Sequence, residues 1–161
     1  MKKKMRKRLN MAVTKEIKKF DIDKARLDND FAFYYFDNVI TFKLDSDDFE
    51  DKLFLDFAKE RFNFVTDCPF IFFLLHEVGH SMTECDIVGA VNDFCLNERQ
   101  RILDAVNDNP TEEEKIKLNF EYFGLPDEIM ATSWAIDYMR NHPKKIKKMR
   151  KRLEDAGVVT K

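Results

Sequence analysis

The sequence predicts an α+β domain that is mostly helical, with one small antiparallel sheet placed ahead of its most apolar helix. Three observations carry this expectation. Apolar residues recur at helical spacing through most of the 161-residue chain. A single stretch, FAFYYFDNVITFKL at residues 31–44, has two β-prone runs flanking a turn-forming Asp37-Asn38 pair. With four glycines and no Pro-, Gly- or Ser-rich linker, the chain has few sharp turning points, which favours helices joined by short loops. Its length suits one hydrophobic core and is too short for two substantial ones.

Residues 3–20 form a basic helix, and residues 31–44 a β-hairpin. Asp45 to Asp48 offer N-caps for a helix near 48–62, where Phe49, Leu53, Phe57 and Ala58 recur at helical spacing; this helix is expected to cover one face of the hairpin. Thr66-Asp67 and Cys68-Pro69 open the helix FIFFLLHEVGHSMT, with proline in its first turn. That helix is apolar on most sides and therefore buried, so its His and Glu residues need a reason to be there. Residues 87–107 read as largely helical. Thr111 and Glu114 form a capping box for a helix ending at Gly124. Pro126-Asp127 start DEIMATSWAIDYMRN, which His142-Pro143 break before the basic KKIKKMRKRLEDAG helix. The chain thus divides into a basic N-terminal segment (1–30), a central domain (31–141) and a basic C-terminal helix (142–161).

An apolar share of 44% beside 36% charged residues excludes general disorder. The densest apolar run, PFIFFLL at residues 69–75, is far shorter than the roughly 20 residues of a membrane span, so no membrane partner is expected. The opening MKKKMRKR is not followed by the apolar stretch of a secretory signal, which points to the cytoplasm. Cys68, Cys85 and Cys95 match no zinc-knuckle or CxxC spacing and read as reduced, part-buried thiols. Charge is lopsided. Residues 1–19 carry nine Lys or Arg against Glu16, and residues 140–161 carry nine against Glu154 and Asp155, so an acidic body has two basic ends. These ends either fold against that body or recruit a polyanion such as nucleic acid, the less favoured reading.

His76-Glu77-Val78-Gly79-His80 is an HExxH motif on a helix. Residues four apart share a helix face, so the two imidazoles converge on a point that suits zinc, and Glu77 projects to where it can take a proton from the attacking water. With three His and twelve Glu, a chance HExxH is expected on the order of once in a few hundred chains of this composition. A catalytic zinc takes three protein ligands and keeps one position open. Glu128, in the first turn of the helix after Leu125-Pro126, is the favoured third ligand, in the pattern Glu-x-x-Ala-Thr-x-Trp-Ala.

HExxH on one helix and Glu-x-x-Ala-x-x-aromatic-Ala on a later one resemble the gluzincins, particularly the small ImmA/IrrE-like and minigluzincin peptidases. The resemblance spans residues 31–139. It implies a zincin-like fold, His76, His80 and Glu128 as ligands of one zinc ion, and Glu77 as general base. Many gluzincins place an acidic residue four after the ligand Glu to orient a histidine; this chain has Thr132.

Rival ligands remain open. Asp86 lies six after His80, as a metzincin-like third ligand would, but Thr83 stands where such chains break the helix with glycine. Glu84 is better placed to orient His80, and Cys85 and His142 have no motif context. Tyr138 could donate to an oxyanion. Either run of the hairpin could present an edge to which a peptide adds as a strand.

The expected function is zinc-dependent hydrolysis of peptide bonds in a protein or peptide substrate, with peptide bonds preferred through the resemblance alone, as in a regulatory protease of a mobile element. The alternatives are a non-catalytic zinc-binding interaction protein and a nucleic-acid-associated regulator resting on the basic ends.

Overall fold

In a computed structural model, which describes residues 3–44 and 48–158, the chain is an α+β protein with 72% of the described residues in helices and one small sheet. The helices are α1 (Lys3–Ile17), α2 (Phe49–Phe62), α3 (Pro69–Thr83), α4 (Ala90–Asn107), α5 (Glu112–Phe123), α6 (Pro126–Asn141) and α7 (Pro143–Ala156). The strands are β1 (Lys24–Leu27), β2 (Ala32–Tyr34) and β3 (Val39–Phe42). Short 3-10 turns follow α1 and α3.

Local chemistry sets most boundaries. Proline occupies the first turn of α3, α6 and α7, where its missing N–H costs nothing. The Thr111 hydroxyl and the Glu114 side chain cap each other's backbone amides at the start of α5. Asp48 accepts from the Asp51 amide at 3.0 Å to open α2, whereas the other expected caps at residues 45–47 lie outside the described residues. Asn38 takes the positive φ of 47° required by the hairpin turn.

The hairpin forms as β2 and β3, with Phe33 opposite Ile40. The sheet is not purely antiparallel, however. A third strand, β1, lies parallel to β3 on its other side, giving the order β1-β3-β2. Its sequence KARL, short and half basic, carries too weak an alternation to announce a strand. The free edge of β1 is closed by α1: Thr14 Oγ1 accepts from the Ala25 amide and Asn10 Oδ1 from the Leu27 amide, each at 2.8 Å. β3 is central, so β2 is the remaining edge.

The layer behind the sheet also differs from the expected one. α3, not α2, backs β2 and β3, while α2 lies against α5. The run Phe70–Leu75 is buried on every side, and each such side chain contributes about 1.5–3 kcal/mol relative to exposure, which makes α3 the natural centre. Phe54 of α2 stacks on Phe72 at 5.4 Å and meets Phe123 of α5 at 4.9 Å. Leu9, Val13 and Ile17 of α1, with Ile146, Met149 and Leu153 of α7, enter the same core, so both basic ends contribute apolar faces to it.

The closest helix pair is α3 with α6. A Cβ on Gly79 would lie 2.8 Å from Ala131 Cα and closer still to its carbonyl oxygen. The two small residues let the backbones approach, and relieving such a clash requires the helices to separate. Gly79→Ala is therefore expected to destabilise the fold by about 1–3 kcal/mol, the usual cost of overpacking. A lower midpoint of thermal unfolding in metal-free protein, by several degrees, is the measurement that checks it.

Candidate metal centre

The approach of α3 and α6 positions three donors. His76 and His80 sit one turn apart on α3, with ring centroids 4.8 Å apart and rings nearly perpendicular. Glu128 lies in the first turn of α6, where the helix dipole favours a carboxylate, and its side chain is buried. Its Oε2 lies 3.1 Å from His76 Nε2 and 3.4 Å from His80 Nε2. One ligand atom from each of the three residues falls within a 4.8 Å cluster, so His76, His80 and Glu128 could hold a metal ion.

No protein-family model, curated protein or solved structure matches the chain.

Without a metal, burial alone would lower the His80 pKa, but the Glu128 charge, their hydrogen bond and the Glu77 charge overcome it and raise the value to about 9. Burial works against the Glu128 carboxylate as well, yet the His80 charge and the His76 hydrogen bond hold it well below the usual range. The pair is a cation bound to an anion, and a metal ion can replace the proton between them. Glu77 is 8% exposed. Burial raises its pKa, the imidazoles oppose that shift, and the Glu128 carboxylate adds to it, while the Phe33 backbone amide of β2 contributes in the stabilising direction. Phe54 packs edge-on against His76 at 4.8 Å, giving the centre a dry wall.

Three further residues shape this arrangement, and two of them, Arg99 and Tyr122, lie outside both motifs. Arg99 of α4 donates to Glu128 Oε1 at 2.8 Å and to Asp127 Oδ2 at 2.7 Å. The Glu128 carboxylate is thereby split, with one oxygen held by Arg99 and the other turned to the histidines. Tyr122 of α5 lies under the Arg99 guanidinium at 5.3 Å, and burial followed by the Glu128 charge raises its phenol pKa. Thr132, one turn beyond Glu128, places Oγ1 3.1 Å from His76 Nδ1.

The residue four after Glu128 is thus a hydroxyl rather than an acid. A hydroxyl can accept from Nδ1–H, leaving Nε2 free for a metal, and can donate to Nδ1 when Nε2 is protonated towards Glu128. An ionised carboxylate can only accept. Thr132→Val keeps the shape and removes this partner, so metal affinity is expected to fall about 10- to 100-fold. Competition with a chromophoric chelator measures it.

The rival ligands stand elsewhere. Glu84 and Asp86 are exposed in the 3-10 turn after α3 and do not join the group, and the Cys85 side chain lies outside the described residues. His142 stacks on Tyr138 at 4.4 Å at the far end of α6. Tyr138 itself packs against Phe20 and Trp134 and does not face the centre. Cys68 and Cys95 are free and buried.

Proposed function

We propose that the chain is a zinc-dependent metallohydrolase that cleaves peptide bonds, with His76, His80 and Glu128 as the metal ligands and Glu77 as the general base. The observation that carries this reading is the buried Glu77 carboxylate beside a three-donor cluster. Two imidazoles and one carboxylate suit zinc and leave a coordination position for a reactant, whereas structural sites usually close all four positions with Cys or His. A site that only held metal would have no use for a second carboxylate, outside the ligand set, whose burial is unfavourable.

Bound zinc supplies a Lewis acid that polarises a carbonyl and acidifies water. The chain's own groups do the rest. Glu77 takes a proton from the attacking water and passes it to the leaving amine; burial raises its pKa, which strengthens it as a base. Thr132 orients His76, Arg99 restrains Glu128, and Phe54 with the apolar part of α3 excludes bulk water. The β2 edge, whose Phe33 amide neighbours Glu77, is the place for an extended peptide.

The test is metal analysis of freshly purified protein, followed by cleavage of a quenched fluorescent peptide library before chelation, after it, and after zinc is restored. One equivalent of zinc and chelator-reversible cleavage are expected. A metal-free preparation that takes up no zinc would end the proposal.

A further inference from the structure

The two basic ends of the sequence meet in space. α1 and α7 pack against each other: Arg8 donates to the Asp155 carbonyl oxygen at 2.8 Å, and Arg152 forms a two-pronged pair with Glu16. Their apolar residues point inward, and the stripe left outside on each helix is basic. On α1, Lys4, Lys7 and Lys15 recur at helical spacing and are exposed; on α7, Lys144, Lys147 and Lys148 do the same. None of these six has an ion pair among the described residues, unlike Arg150, Lys151 and Arg152.

From this juxtaposition we propose that α1 and α7 together form a face that binds duplex nucleic acid through its phosphates, without reading sequence. Two neighbouring helices of 15 and 14 residues make a lysine-studded platform about 20 Å long, roughly the axial length of six base pairs. Lysine provides point charges suited to phosphate contact rather than forked hydrogen bonds to base edges. No aromatic ring occurs in α1 or α7, so the stacking that single strands require is missing from the face. An anionic membrane fits less well, because Leu9, Val13, Ile17, Ile146, Met149 and Leu153 are committed to the core and cannot insert; Met5 and Met11 are the only large apolar side chains exposed on α1, and α7 has none. The metal centre is separate, because Glu128 and α7 sit at opposite ends of α6, about 20 Å apart along its axis. The proposal stands independently of the hydrolase reading.

The test uses the full chain with a fluorescent random-sequence 20-base-pair duplex, measured by anisotropy across a salt series. If the six lysines each neutralise a phosphate, the slope of log affinity against log salt is about −5. Two triple variants, K4Q/K7Q/K15Q and K144Q/K147Q/K148Q, are each expected to reduce the slope by about 2 to 3 and to weaken binding at 50 mM salt at least ~10-fold. Both should keep the helical circular dichroism and metal content of the parent chain. No duplex binding by the parent chain at 50 mM salt would overturn the proposal. So would binding indifferent to either triple variant, or selective sedimentation with phosphatidylserine vesicles in place of duplex binding.

Discussion

Glu77→Gln is expected to retain its metal while losing about 10² to 10⁴ in the rate of hydrolysis, the usual cost of removing a general base. Gln has the shape of Glu and fills the same buried position, so the packing around Phe33 and the two histidines should survive. Its amide oxygen can still accept a hydrogen bond, but it cannot take the proton of the attacking water. Stability separates this effect from damage to the fold. Burial raises the Glu77 pKa, so the folded chain prefers the protonated form, and ionising the group costs stability as pH rises through its unfolded and then its folded value. A neutral Gln escapes that cost. Metal-free Glu77→Gln should therefore unfold at or above the parent temperature at pH 7. Metal content by elemental analysis, thermal unfolding and single-turnover cleavage together check the three parts. Loss of metal in this variant would make Glu77 a ligand and deprive the mechanism of its base.

Much of the centre was legible before its geometry was seen, because its requirements are local. HEVGH places two imidazoles on one helix face by spacing alone, and Glu128 follows a proline that fixes a helix start. The Gly79 and Ala131 positions inside the two motifs have a physical explanation, since they are where the helices approach most closely. What could not be read depends on long-range contact. Arg99 reaches Glu128 from another helix, 29 residues earlier in the chain, and nothing in NERQR distinguishes it from a solvated charge. Thr132 looked like a missing acid, because the pattern specifies a carboxylate, while the histidine needs only a hydrogen-bonding partner at Nδ1. β1 was hidden because its alternation, Lys24 and Arg26 out with Ala25 and Leu27 in, runs for only four residues, and the partners of its outer amides, Asn10 and Thr14, come from α1. The basic ends were visible as charge, but their meeting on one face followed only from the packing of α1 on α7.

Glu128→Ala is expected to lose the metal during mild chelator dialysis, because two imidazoles remain where a stable zinc site needs a third protein ligand. A second effect should appear even without metal. In the parent chain the Glu128 carboxylate, 3% exposed, faces His76, His80 and Arg99 at once. Removing one member of a buried charge cluster costs about 3–5 kcal/mol when the others are stranded. Here the cost should sit at the low end, since His80 can release its proton and Arg99, with a side chain 26% exposed, keeps Asp127 at 2.7 Å. That corresponds to a fall of roughly 5–10 °C in the unfolding midpoint of the metal-free protein. Asp86→Ala provides the contrast: Asp86 is exposed beyond the end of α3, and its loss should change neither metal content nor unfolding. Glu128→Gln divides the two effects, because it preserves shape and one acceptor oxygen while removing the charge that both the metal and Arg99 require. It should lie between parent and Glu128→Ala in metal retention. Full retention in Glu128→Ala with loss in Asp86→Ala would move the third ligand to the turn after α3, and the close packing of α3 on α6 would then serve the fold alone.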